Sequence, residues 1–289
     1  MVGHAWVKRL FIDRYYKNNE KPEDYQFIKS TVYDNPFLLE NSPDYVRTLE
    51  NLPPDRRKAM LDGSWDVFEG AYFPEFDRDI HCCPQFIIPD NWRRYFVMDY
   101  GLDMLAGYFI AVDDRERAFV YKEIYKSGLL ITDAIKEIKE VQGGEAIFQY
   151  IAPPDMWNRR QDTGKSVADI FAEQGIYLSK ARNDRVQGWY NLKEWLKVGI
   201  DEYGKKSSAI KIFNNCPNLI RCIPLVQYDK NNPNDVAKNP HELTHSLDAI
   251  RYFVAGCPSP NIVISDKKNF LPKELITEDD DSDEKYIEW

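Results

Sequence analysis

The chain has 289 residues, 43% of them hydrophobic and 29% charged, with a formal net charge of −9. That length suits one large domain or two smaller ones with a core of some size, while no apolar run is long enough to span a membrane and Met1 to Lys8 lacks the apolar stretch of a signal peptide. Five cysteines, an odd number in a chain of ordinary size, fit a reduced setting better than a disulfide framework.

Residues 1–70 differ from the rest. Asn35-Pro36 and Ser42-Pro43 punctuate charged, aromatic-rich stretches. Ser42-Pro43-Asp44 predicts a helix start with proline at the first helical position; Tyr45, Leu49 and Leu52 then keep helical spacing. Arg56 to Leu61 reads as a short helix closed by Gly63. The region predicts helices and connecting loops, too small for a core of its own.

From about Trp92 the pattern changes. Strands are predicted at 94–101, 104–113 and 117–125, with Asp113-Asp114 as a tight turn between the last two. Leu129 to Val141 has helical periodicity and ends at Gly143-Gly144. A strand at 146–151 follows, then helices at 166–174 and 189–200, short strands with turns over 209–228, and a last helix from His241 to Ala255. Three consecutive strands, a helix and another strand predict an α/β fold with a mixed sheet flanked by helices. After Pro260 the chain turns polar and then acidic, and disorder is predicted from about residue 270.

The acidic balance argues against a nucleic-acid partner only until its distribution is considered. Glu274 to Trp289 holds eight acidic residues and one lysine, so −7 of the −9 lies there and −2 remains for everything else. A nearly neutral body with basic patches still binds a phosphate backbone. Ser179 to Trp189 is locally basic, with Lys180, Arg182 and Arg185, and Lys205, Lys206 and Lys211 form a second group. Each group reads either as solvated surface or as phosphate contacts beside a site.

Three aspartates carry the chemistry. Asp99 ends the apolar run Tyr95-Phe96-Val97-Met98, and Asp155 follows the run Ile147 to Ala152. Each alone reads as turn chemistry. Together, ending two strands of one sheet, they lie where open α/β sheets place ligands. On the final helix Leu243, Leu247, Ile250 and Val254 share one face, and His241, His245, Asp248 and Tyr252 cluster opposite. That second face is either a solvated stripe or a place where a histidine and a carboxylate share a metal or a water. Two strand-end carboxylates and a third on a late helix are what a two-metal nuclease needs, with two cations about 3.5–4 Å apart clamping attacking and leaving oxygens. Oxygen ligands select Mg²⁺ or Mn²⁺ over zinc.

Rival motifs are weaker. His241-Glu242-Leu243-Thr244-His245 matches H-E-x-x-H, the zinc-peptidase signature. One such class continues with a glycine and then a third histidine ligand, at positions held here by Asp248 and Arg251, and the downstream glutamates of another begin only at Glu274. Thr163-Gly164-Lys165-Ser166 lacks the first glycine of a phosphate loop, since Arg159 stands there, and reads as a helix start. His81-Cys82-Cys83 has no metal-ligand spacing and reads as loop.

At these residues the chain resembles the C-terminal part of a tailed-phage large terminase, the DNA-packaging motor subunit, over residues 1 to 258. Gly3 to Lys8 with Leu10-Phe11-Ile12 resembles the end of the family's ATPase domain. Asp34-Asn35-Pro36 and Leu52 to Trp65 resemble its linker, and Gly70 to Phe76 leads into the nuclease domain. Met98-Asp99-Tyr100-Gly101, Pro154-Asp155 and His245 to Tyr252 resemble the nuclease acidic motifs, the last being the most specific. The resemblance implies an RNase H-like fold with a mainly helical N-terminal extension. Residues 1–70 would be the end of the ATPase domain and linker, 71–260 the nuclease domain, and 261–289 an acidic, disordered tail. It implies a DNA endonuclease that cuts concatemeric viral duplex DNA during packaging. Asp99, Asp155 and Asp248 match the metal-binding acids, His245 a histidine near the third acid of some members, and Glu123 a possible auxiliary carboxylate. The implied cofactor is Mg²⁺ or Mn²⁺, and the implied partners are duplex DNA and, in the full motor, the portal protein and small terminase subunit, in the host cytoplasm. The family's phosphate loop is absent, so no ATP hydrolysis is expected of this chain. Two other readings remain: a non-catalytic DNA or packaging-complex binding module, and a zinc peptidase.

Overall fold

The structure, a computed structural model, describes residues 5–16, 19–52, 57, 60, 61, 63, 65, 70–101, 103–159, 164–201 and 203–256. The acidic segment 261–289 and its expected disorder, part of the linker and Thr163 lie outside the described residues.

Seven strands form one mixed sheet among the described residues: β1 (Cys82–Cys83), β2 (Arg93–Tyr100), β3 (Leu105–Val112), β4 (Ala118–Lys126), β5 (Gln149–Ala152), β6 (Leu178–Lys180) and β9 (Ile210–Phe213). Their spatial order is β1-β9-β4-β3-β2-β5-β6. β2, β3 and β4 pair antiparallel, while β5 and β6 extend the sheet in parallel on one side and β9 and β1 on the other. β7 (Gly199–Ile200) and β8 (Lys206–Ser207) make a separate hairpin. This is the α/β sheet flanked by helices that an RNase H-like fold requires.

The middle strands read as near-continuous apolar runs because both faces of the sheet are covered. β3 is buried along its whole length. Tyr95, Val97, Tyr108 and Ile110 pack on one face, and Phe96, Met98 and Phe109 on the other. Helix α4 (Ile131–Gln142) and helix α5 (Val167–Glu173) cover the second face, and α6 (Arg185–Leu196), α7 (Pro217–Cys222) and α8 (Thr244–Gly256) the first. Helix α4 stops where predicted: Gly143 takes the left-handed conformation, φ +62°, and donates its N–H to Lys139. Ser166 caps α5 through a capping box with Asp169, so the lysine-serine pair that mimicked a phosphate loop is a helix start.

Three elements differ from expectation. His81-Cys82-Cys83 is not a loop: it closes the short helix α3 (Arg78–His81) and forms edge strand β1 on β9. Residues 217–222, read as strand and turn, are helix α7, with Pro217 in its first turn. Helix α6 starts at Arg185 rather than 189, because the Asp184 side chain accepts from the backbone N–H of Gln187 at 2.9 Å. The last helix also departs from a two-faced pattern. A 3₁₀ turn, His241–Leu243, precedes α8, and α8 is buried on every side from Thr244 to Val254. It lies between the sheet and α6, so its polar face meets protein rather than water.

The N-terminal extension is helical in short pieces, ending in α1 (Pro36–Asn41) and α2 (Pro43–Glu50). Asp13 ties it to the body by accepting from Lys8 at 3.0 Å and from Arg78, at the start of α3, at 2.8 Å. Ile28 and Phe37 stay exposed, as expected of a segment without its own core. No helix among the described residues is long and apolar enough to cross a membrane.

Candidate active site

β2 and β5 are parallel neighbours, with Val97 opposite Ile151, so their carboxyl ends leave the sheet together. Asp99 stands near the end of β2, and Asp155, itself exposed, sits in the turn Pro154–Trp157 directly after β5. Asp248 lies on α8, which packs across β2, β3 and β5. Asp99 feels the charge of the other two acids. Burial raises the Asp99 pKa above its usual value, and although the His245 hydrogen bond opposes this, the charges of Asp248 and Asp155 add to the rise. Tyr252, one helical turn beyond Asp248, is likewise pushed up by burial and then by the field of Asp99.

Asp248 is held by two guanidinium groups. Its Oδ1 accepts from Arg185 Nη1 at 3.1 Å and from Arg251 Nε at 3.0 Å. Arg185 also donates to Asp235 at 2.8 Å. Both arginines lie over Trp189, 5.1 and 5.2 Å from its ring centroid, and the Trp189 indole N–H donates to Asp235 at 2.7 Å. Arg251 is 2% exposed, and it fits because residue 188 is glycine: a Cβ there would lie 2.5 Å from Arg251 Cγ. The sequence signal for this clamp is that glycine inside a helical pattern, a mark of close approach.

His245 spans two carboxylates. Its Nδ1 donates to Asp99 Oδ2 at 2.8 Å, and its Nε2 faces Asp103 Oδ2 at 3.2 Å. Burial disfavours the imidazolium, but the Asp99 hydrogen bond and the charges of Asp99 and Asp103 outweigh it, and the His245 pKa lies above its usual value. His241 Nδ1 stands 3.3 Å from the same Asp103 oxygen. Asp103, in the turn between β2 and β3, is the residue that sequence reasoning missed: in sequence it is one more turn aspartate. The limited burial of Asp103 would raise its pKa, but a backbone hydrogen bond and the two imidazoles lower it below the usual value.

The remaining predicted residues scatter. Glu123 accepts from the backbone N–H groups of Asn218 and Leu219 at 3.1 and 2.9 Å. It thereby caps the start of α7. Lys180, the last residue of β6, and Arg182, just past it, are exposed beside β5 at the acid end of the sheet. Arg185 is engaged with Asp235 and Asp248 rather than offered to a phosphate. Lys205 and Lys206 lie at the opposite end. Register links Arg93 to Val112, Ala118 and Ile210 in turn, so the chain just before Ile210 stands level with the first residue of β2, three strands across the sheet. Along the strands alone, that level is about 20 Å from Asp99.

The donor set fits hard divalent cations. Asp248 and Asp155 both raise the cost of charge on Asp99, a strain that a cation among the three carboxylates would relieve, and oxygen donors suit Mg²⁺ or Mn²⁺.

No family model matches the chain, and no curated protein matches it. Solved structures do. The large terminase of a thermophilic bacteriophage aligns at 18% identity with TM-score 0.51, over 86% of this chain and 56% of that one. The same phage protein in complex with ADP aligns at 19% identity with TM-score 0.53, over 83% and 57%. The P22 large terminase nuclease domain aligns at 19% identity with TM-score 0.51, over 64% of this chain and 91% of that domain. The chain therefore spans a little over half the length of the thermophilic phage's large terminase, and it shares its fold with large terminases and with a terminase nuclease domain.

Proposed function

We propose that this chain is the nuclease part of a tailed-phage large terminase, a metal-dependent endonuclease that cuts concatemeric viral duplex DNA during genome packaging. The observation that carries the reading is the convergence of Asp99, Asp155 and Asp248 at the carboxyl ends of adjacent parallel strands, in a fold shared with large terminases.

Asp99, Asp155 and Asp248 would hold two Mg²⁺ or Mn²⁺ ions. When bound, such ions supply Lewis acidity at the phosphate and allow water to ionise near neutral pH. The chain's own residues do the rest. Arg185 and Arg251 fix the Asp248 carboxylate in one orientation. His245 fixes Asp99 through Nδ1–H, and with both ring nitrogens facing carboxylates it acts as a positioning residue. Water attacks phosphorus and releases a proton to solvent, the bond to the 3′-oxygen breaks, and the departing oxygen takes up a proton from solvent. Lys180 and Arg182 hold the DNA backbone at the rim. Among the described residues the cations at this end, Lys180 and Arg182, suit phosphates rather than base edges, so cutting would have little sequence preference. In the full motor the chain would work with the portal protein and small terminase subunit, in the host cytoplasm.

Supercoiled plasmid incubated at low salt with Mn²⁺, Mg²⁺ or EDTA tests the reading. Nicking and linearisation in either metal and none in EDTA are expected. Tight DNA binding with no cleavage in any divalent metal would replace the nuclease by a packaging-complex binding module.

A further inference from the structure

We propose that Asp103, His241 and His245 form a binding site for a transition-metal ion of the zinc class, distinct from the three-aspartate cluster. One ligand atom from each residue lies within 4.8 Å of the others. His241 Nδ1 and His245 Nε2 stand 3.3 and 3.2 Å from the same Asp103 oxygen. The edges of a tetrahedron around zinc, with bonds of about 2.0–2.1 Å, are about 3.3 Å long. The two separations to Asp103 therefore already match such an edge.

The chemistry of the donors separates this site from its neighbour. Two imidazoles and one carboxylate suit zinc, whereas the three aspartates offer only oxygen and suit magnesium or manganese. The second ring nitrogen of His245 adds an independent sign. It donates to Asp99 at 2.8 Å, the carboxylate–histidine arrangement that fixes ring orientation and tautomer at metal centres. An ion would take the place of the proton on Nε2, which leaves to solvent, while Nδ1–H keeps its bond to Asp99. The His241 and Asp103 side chains are 63% and 61% exposed, so an ion reaches the site from water and keeps an open fourth position.

The H-E-x-x-H segment thus finds a third ligand upstream, in the turn between β2 and β3, not downstream where peptidases supply it. The proposal is one of binding, not of peptide hydrolysis. An ion here would tie the β2–β3 turn to the start of α8, at the mouth of the acid cluster. It does not depend on whether the aspartates hold ions of their own.

The test is zinc binding by the untagged full chain, read by competition with a chromophoric chelator in excess Mg²⁺, with the visible spectrum of bound Co²⁺ alongside. One zinc per chain is expected, and His241→Ala and Asp103→Asn should each weaken it by at least about tenfold, the lower end of what even outer partners of metal ligands contribute. Asp155→Asn should leave it unchanged. Both weakening substitutions are at exposed side chains, and unchanged thermal melts without metal check that folding is intact. Equal zinc binding in His241→Ala, or loss in Asp155→Asn instead, would overturn the site, as would the absence of saturable binding by the unaltered chain.

Discussion

The two ends of helix α6 face two buried histidines that do opposite things. At its first residue, Arg185 reaches Asp248, three positions from His245. At its last, about 16.5 Å away by helical rise, the Leu196 carbonyl accepts from His81 Nε2 at 2.8 Å. Both rings are almost fully buried, 0% exposed for His81 and 4% for His245. Burial lowers the His81 pKa, and its backbone partners do not restore it. Carboxylates on both sides raise that of His245. Burial alone therefore does not mark a functional end of this molecule. Its partners do: one histidine is a neutral tie between elements, and the other belongs to a cluster of charges.

Breaking the charged end should cost most. Arg251→Leu removes one guanidinium from Asp248 and should lower stability to chemical denaturation by about 3 kcal/mol, the lower end for breaking a buried pair, since Arg185 remains. Gly188→Ala would ordinarily gain about 1 kcal/mol of helix propensity. Here the new methyl meets Arg251, and a loss of about 1–3 kcal/mol is expected from overpacking. A gain in denaturation midpoint would mean that Arg251 is not packed as described.

The comparison sharpens on DNA. Lys180→Ala with Arg182→Ala should flatten the salt dependence of duplex binding by about 0.9 in the logarithmic slope per lost phosphate contact. Lys205→Ala with Lys206→Ala, at the far end of the sheet, should leave that slope unchanged. The smallest effects are those of pH, measured on stability in EDTA. His81 refuses a proton that the unfolded chain accepts below its ordinary pKa of 6.5, so its contribution is complete above that value and is lost as pH falls. His245 has the opposite sign: its contribution is complete below 6.5 and is lost as pH rises through its elevated folded pKa. His81→Gln and His245→Gln should change the slope of stability against pH in opposite directions.

The strands and the positions of Asp99 and Asp155 were legible because each has a local signature: an apolar run, then an aspartate where the run stops. The spacing of Asp248 on the last helix was legible from helical periodicity alone. The clamp on Asp248 was not, since Arg185 lies 63 residues away and reads as one cation in a basic stretch. Lys205 and Lys206 looked like neighbours of the site because they lie between Asp155 and Asp248 in the chain, but sheet register carries them to the other end. Helix α7 was missed because nearly every side chain in it is buried, which erases the periodicity that marks a helix. Its start depends on Glu123, from a different strand.

Asp155 offers the cleanest test of the account, because it is exposed and is not held by the arginine clamp. Plasmid cleavage in Mn²⁺ should be measured for the unaltered chain and for Asp155→Asn, with matched thermal melts. The account predicts nicking and linearisation by the first and a fall of at least about a hundredfold in the second, as for other losses of charge stabilisation at a reacting centre. Equal cleavage by both proteins, or cleavage that survives EDTA, would contradict it.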